Sequence, residues 1–196
     1  MADLRLRPAR KDDAEALARL IDIAGEGFGM YLWSQAAKPG ETALEIGMRR
    51  AQREEGGFSY RHATIAEVDQ RVAGLLLGYR LPEPYVLGDI SALAEMVRPL
   101  VELEAEAPGT WYVNALAAFP EYRGRGIGTR LLKEAELLAI EVGAPGLSLI
   151  VADQNEGAKR LYSRMGYRAV ARRPLVPFPG LGHTGDWVLM TKPVGR

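Results

Sequence analysis

A strand, a glycine-rich turn and an amphipathic helix in direct succession constrain this chain more than any other stretch. Thr110 to Ala118 (TWYVNALAA) is a long apolar run suited to a β-strand. Phe119-Pro120-Glu121-Tyr122 follows, and then Arg123-Gly124-Arg125-Gly126-Ile127-Gly128. From Thr129 to Val142 the chain reads as a helix that starts at the glycines, with Ile127, Leu131, Ala135 and Leu138 on one stripe, until Gly143-Ala144-Pro145-Gly146 stops it. Glycines permit φ > 0 and carry no Cβ, so successive backbone N–H groups can converge on an anion. The start of the helix adds unpaired N–H donors and a partial positive charge, and Arg123 and Arg125 add full charges. Together they predict a phosphate site.

The distribution of charge agrees. The formal net charge is zero, yet residues 1–122 hold 13 Lys and Arg against 19 Asp and Glu, residues 123–173 hold 10 against 5, and the rest hold 2 against 1. One basic segment in a neutral protein suits a compact anionic ligand better than a long nucleic-acid tract, so no nucleic-acid partner is expected. The turn lacks the GK[ST] of a P-loop, which argues against a nucleoside triphosphatase. A dinucleotide fingerprint belongs near the start of a βαβ unit with an acidic residue about 20 positions later, whereas this turn lies past the middle of the chain.

With no cysteine, disulfides, thiolate zinc sites and a cysteine nucleophile are excluded, and a reducing cytoplasm is the expected location. Met1 to Arg10 is alternating and charged, and no stretch approaches the ~20 apolar residues that span a bilayer, so no membrane partner is expected. No metal is called for. At 196 residues and 47% hydrophobic content, the chain is expected to form one domain over 1–196, with a helical insertion at about 81–109.

The outer segments give an element order. Leu4 to Pro8 reads as a strand and Lys11 to Ala24 as a helix. Gly25 to Gly40 reads as irregular, with Glu26, Phe28, Tyr31 and Trp33 candidates to line a pocket or cap the core, and Glu41 to Glu55 as a helix ended by Gly56-Gly57. Ala63–Val68 and Arg71–Tyr79 flank Asp69-Gln70 as a hairpin. A helix is expected from Ser91 to Glu104, with Glu102, Glu104 and Glu106 forming a solvated face. Leu147 to Val151 is a short apolar strand, Asn155 to Met165 a helix ended by Gly166, and Tyr167–Ala171 and Trp187–Thr191 are closing strands. Asn155 and Tyr162 stand two helical turns apart and share a face with the small Ala158.

The run from Leu116 through Gly128, followed by Asn155, Ala158, Tyr162 and Gly166-Tyr167, resembles the GNAT superfamily of N-acetyltransferases. Arg123, Gly126 and Gly128 match its [QR]-x-x-G-x-[GA] signature, and residues 155–167 match its second motif. The resemblance is close over about residues 110–170. It implies a mixed α/β fold whose central, mostly antiparallel sheet splays at the middle, with helices on both faces. It also implies acetyl-CoA as cosubstrate: Arg123, Gly124, Arg125, Gly126, Ile127, Gly128 and Thr129 at the pyrophosphate, the backbone of Leu116, Ala117 and Ala118 along pantetheine, Asn155 and Ala158 beside the cofactor, and Tyr162 at the thioester sulfur.

An amine attacking a thioester builds negative charge on oxygen, which the Leu116 N–H is expected to stabilise, while Tyr162 is the candidate proton donor to the thiolate. Some members carry a glutamate on the strand before the turn; Asn114 stands there instead and cannot be a base. Glu26, His62 and His183, or a water chain to bulk solvent, are the remaining candidates for that role, with Asn114 and His183 counted among the acceptor-side residues. The expected activity is direct acetyl transfer to a primary amine of a small molecule or peptide. A catalytically silent CoA-binding module, or transfer of another acyl group or to another acceptor, is the alternative, and a homodimer is left open.

Overall fold

The computed structural model describes residues 3–195. Seven strands, β1 (Leu4–Pro8), β2 (Ala63–Val68), β3 (Arg71–Arg80), β4 (Trp111–Ala118), β5 (Gly146–Ala152), β6 (Arg168–Pro174) and β7 (Asp186–Pro193), form one sheet in the order β1-β2-β3-β4-β5-β7-β6. Six helices accompany them: α1 (Ala14–Ala24), α2 (Phe28–Ala36), α3 (Ala43–Ala51), α4 (Arg98–Ala105), α5 (Ile127–Glu141) and α6 (Glu156–Arg164). The mixed α/β class and the mostly antiparallel sheet are those expected from the sequence. The chain packs as two units, one of residues 3–78 and 115–132, the other of residues 79–114 and 133–195.

In the first unit β1 pairs antiparallel with β2 from Leu4↔Val68 to Pro8↔Thr64, and β2 turns into β3 through Asp69 and Gln70. Both turn residues have positive φ, 49° and 64°, the backbone that a tight two-residue hairpin requires. The way into α1 is fixed by Asp13, whose carboxylate accepts from the Arg7 guanidinium at 2.7 and 2.8 Å and from the Arg10 N–H at 2.7 Å. Leu17 and Leu20 of α1 then bury against Ile65 of β2 and Leu75 and Leu77 of β3.

The segment 25–40 departs from its sequence reading, because α2 occupies Phe28–Ala36. Its glycines hid the helix: Gly27, with φ at 94°, reverses the chain after α1, and the Asp22 carboxylate accepts from the Met30 N–H at 2.8 Å across that reversal. Apolar burial supplies the rest, since Trp33 is 2% exposed among Ala18 and Ile46 with its ring edge-on to Phe58 at 5.6 Å. Helix α3 is shorter than expected and starts at a capping box in which the Thr42 hydroxyl accepts from the Glu45 N–H and the Glu45 carboxylate accepts from the Thr42 N–H.

In the second unit β4 runs parallel to β5 over Trp111↔Leu147 to Val113↔Leu149, where that ladder ends. Strand β5 continues against β7 from Gly146↔Pro193 to Ala152↔Trp187, and β6 closes the edge on β7. Almost every side chain of β5 is buried, as its largely apolar run requires for a strand covered on both faces, and its one polar side chain, Ser148, shares a 2.7 Å hydrogen bond with the Thr110 hydroxyl. The insertion 81–109 carries a 3₁₀ turn, Glu95–Val97, and the short α4 in place of the longer helix expected. Leu81, Leu103, Ala107, Tyr112 and Leu189 form the core beneath it.

Candidate active site

The glycine turn belongs to the first unit. A 3₁₀ turn, Pro120–Tyr122, ends β4, and the Arg123 N–H closes onto the Pro120 carbonyl at 3.2 Å. Gly124 and Gly126 then take φ of 74° and 79°, in the left-handed region that L side chains rarely adopt. A Cβ built at either position meets nothing within 4 Å, so these glycines serve backbone conformation and an open face, not packing. The first α5 bond runs from the Arg130 N–H to the Gly126 carbonyl, which leaves the amides of Ile127, Gly128 and Thr129 without helical partners.

Burial anchors the turn from behind. Ile127 is 2% exposed, while Arg123, Gly124, Arg125 and Gly126 are exposed. The Arg125 guanidinium lies over the Tyr122 ring at 5.4 Å, and neither Arg123 nor Arg125 meets a carboxylate among the described residues. Two unpaired cations, unsatisfied amides and clear space fit a polyphosphate. Leu116, Ala117 and Ala118 stand half-buried as the last three residues of β4 in the same unit.

The second unit carries the other motif. Asn155 is the N-cap of α6, its Oδ1 accepting from the Ala158 N–H at 3.0 Å, so the asparagine's side-chain oxygen is spent on starting the helix. Tyr162, two turns on, is 7% exposed, and its ring tilts against Tyr167 with centroids 6.0 Å apart. No hydrogen bond engages its hydroxyl among the described residues, and burial alone pushes the phenol up to about 12. It is therefore fully protonated at neutral pH.

The acceptor-side candidates are dispersed between the two units. In the first, Glu26 sits in the α1–α2 reversal with φ at 54°, Phe28 and Tyr31 lie half-buried on α2, Trp33 lies inside the core, and His62 is exposed at the end of the turn Tyr60–His62. In the second, Asn114 is exposed as the first residue past the β4–β5 ladder, and His183 is half-buried between β6 and β7.

One group escaped the sequence reading altogether. Of Glu102, Glu104 and Glu106, expected as one solvated face, Glu102 and Glu106 lie one turn apart and both meet Arg173 of β6, the former at 3.0 Å. Glu104, rotated to the other side of α4, is half-buried and accepts from the Tyr85 hydroxyl at 3.0 Å and from Tyr112. Burial raises its carboxyl above the ordinary range, against the pull of the two phenols. The helical rotation between positions two apart was the signal that could have separated it.

The sequence profile of the Acetyltransferase (GNAT) family matches residues 18–167. A mouse (Mus musculus) thialysine N-epsilon-acetyltransferase is 36% identical over 178 residues, covering 85% of this chain and 85% of the relative. The chain belongs to the GNAT family. It is thus an N-acetyltransferase of a family that draws its acetyl group from acetyl-CoA. Solved GNAT-like folds agree at the level of architecture. A mosquito protein described as arylalkylamine N-acetyltransferase like 5b covers 97% of this chain, which covers 100% of it, at a TM-score of 0.68 and 17% identity. A putative acetyltransferase from Salmonella typhimurium, solved with its cofactor acetyl-CoA, covers 98% and 95% at a TM-score of 0.60 and 16% identity. No helix among the described residues of this GNAT protein is long and apolar enough to cross a membrane.

Proposed function

We propose that the protein transfers an acetyl group from acetyl-CoA directly to a primary amine of a small molecule or peptide. The observation that carries this reading is the glycine turn: two positive-φ glycines with nothing in front of them, followed by amides without helical partners, and with Arg123 and Arg125 beside them, neither of which meets a carboxylate among the described residues. Bound there, acetyl-CoA supplies an activated thioester. Backbone amides of residues 125–129 hold its pyrophosphate, and the N–H of Leu116 donates to the carbonyl oxygen as the amine nitrogen bonds to carbon. The C–S bond then breaks, the amine gives up its proton, and the sulfur gains one.

Tyr162 is the proposed partner of that sulfur. A phenol at about 12 is a weaker acid than a thiol at about 8.5, so complete proton transfer runs uphill and a strong hydrogen bond to the departing thiolate is the main contribution. Tyr162→Phe, which keeps the ring, is expected to lower kcat about 10- to 100-fold with acetyl-CoA affinity little changed; full activity with chemistry rate-limiting would make Tyr162 structural.

The decisive experiment follows CoA thiol release from acetyl-CoA with a panel of amines. The name of the mouse relative puts thialysine first, with lysine, diamines and peptide N-termini beside it. Amine-dependent release with an acetylated product is expected. Tight CoA binding without release under any amine would overturn the enzyme reading in favour of a silent CoA-binding module.

A further inference from the structure

Glu104 is a half-buried carboxylate without a cation. Its two helical neighbours in the acidic run share Arg173, but no Lys, Arg or His pairs with Glu104 among the described residues. Its surroundings are phenolic instead. The Tyr85 hydroxyl donates at 3.0 Å from the loop after β3, and Tyr112 donates from β4. The Tyr79 ring stands edge-on to that of Tyr112 with centroids 5.9 Å apart, and Tyr79 and Tyr85 both pack on the core formed by Leu81, Leu103 and Tyr112.

A carboxylate offers about four acceptor directions, and two neutral donors leave part of that capacity and all of the charge uncompensated. Withdrawing such a charge from water is costly unless an opposite charge joins it. Tyrosine rings attract cations over their faces, and most strongly where water is reduced. A carboxylate with three phenols around it matches an alkylammonium group: the nitrogen satisfies the carboxylate, and the carbons next to it meet aromatic surface. Inorganic cations would gain the charge and waste the rings. Anions are repelled.

We propose that Glu104, with Tyr79, Tyr85 and Tyr112 about it, binds an alkylammonium group of the acetyl acceptor. This rests on the reading of the protein as an amine acetyltransferase and names the residue through which the insertion 81–109 selects that substrate. Tyr112 and Asn114 face the same side of β4, two residues apart, so the site is continuous along the strand with the point where the β4–β5 ladder ends. It assigns α4, otherwise an addition between strands, to acceptor recognition.

Two measurements on the full chain test it. In the first, butylammonium chloride is titrated into the protein without acetyl-CoA, and the tyrosine resonances are followed, with butanol as the uncharged control. Saturable shifts with the amine, none with the alcohol, and their loss in Glu104→Gln are expected; equal shifts in Glu104→Gln overturn the proposal. In the second, Glu104→Gln is expected to raise the acceptor KM at least 30-fold while the acetyl-CoA KM stays within twofold, and Glu102→Gln on the opposite face is expected to change neither. An unchanged acceptor KM in folded Glu104→Gln overturns it. Should that variant fold poorly, Tyr85→Leu removes one wall of the site and keeps the carboxylate, and the acceptor KM is expected to rise several-fold; no rise overturns the proposal. If no amine releases CoA but butylammonium binding still requires Glu104, the acetyltransfer reading fails and the cation site stands.

Discussion

Glycine does two different jobs in the first unit, and the two regions look alike in the sequence. Around Trp33, Gly29 and Gly47 have ordinary φ, and a Cβ on Gly47 would lie 2.5 Å from the Trp33 ring and one on Gly29 3.2 Å from it. There glycine makes room for a large side chain. In the turn after β4, Gly124 and Gly126 have φ of 74° and 79° and empty space in front of them. There it turns the backbone outward. A crowded glycine with regular dihedrals is a packing device, whereas an uncrowded one with positive φ turns the backbone, as Gly27 does, and where amides without helical partners follow it, as after Gly126, the turn also presents main-chain N–H groups outward. The contrast converts a glycine-rich composition into two separate expectations.

The largest effect should come from the packing region. Trp33→Ala empties a site that is 2% exposed, and losses of about 3–5 kcal/mol accompany aromatic truncation in a core. Denaturant unfolding should show that loss of stability, with acetyl-CoA affinity in the folded fraction unchanged. If stability holds and the acceptor KM rises, Trp33 belongs to a substrate pocket and the comparison breaks. Next comes Gly126→Val, which forces a β-branched residue into a left-handed backbone and places carbon where phosphate must approach. A loss of about 100-fold in acetyl-CoA affinity, or roughly 2.7 kcal/mol, is expected by calorimetry. Unchanged affinity in a folded variant would remove the turn from the cofactor site.

Gly47→Ala sharpens the first half of the contrast. Alanine gains about 1 kcal/mol of helix propensity in α3, but overpacking against a fixed ring costs about 1–3 kcal/mol, so a net loss of about 1 kcal/mol is expected. A gain in stability would show that Trp33 can shift and that the crowding is slack. Gly74 is a packing glycine at the turn itself: its Cβ would meet Ile127 Cγ2 at 2.8 Å and the Ala117 carbonyl at 2.9 Å, directly behind the turn. Gly74→Ala should therefore lower both stability and acetyl-CoA affinity, where Gly47→Ala lowers stability alone.

Much of this was legible in the sequence. The strand–turn–helix succession, the hairpin at Asp69-Gln70 and the start of α6 at Asn155 all rest on local chemistry, and local chemistry is written residue by residue. Helix α2 was not legible, because its evidence is tertiary: without α1 and α3 to bury Trp33, a segment holding Gly25, Gly27, Gly29 and Gly40 has no reason to be helical. Glu104 was missed for a related reason. On the expected helix, positions two apart already point to opposite sides, but which side is buried depends on partners outside it, and only Glu104 meets Tyr85 and Tyr112 while Glu102 and Glu106 meet Arg173.

The smallest expected effect separates the two glycines of the turn from each other. Gly124 matches no fixed position of the family signature, whereas Gly126 does, so Gly124 should be needed only for its φ of 74°. Placing alanine in the left-handed region costs about 1–2 kcal/mol, while asparagine tolerates that region better. Gly124→Ala should thus lower stability by about 1 kcal/mol, and Gly124→Asn by less, since a Cβ there touches nothing within 4 Å. Acetyl-CoA affinity should follow stability weakly, falling no more than about threefold in either variant. If Gly124→Asn restores stability but affinity stays low, the cofactor approaches Gly124 as closely as Gly126, and the whole turn is a contact surface. If stability and affinity recover together, Gly124 shapes the turn and Gly126 alone admits the phosphate.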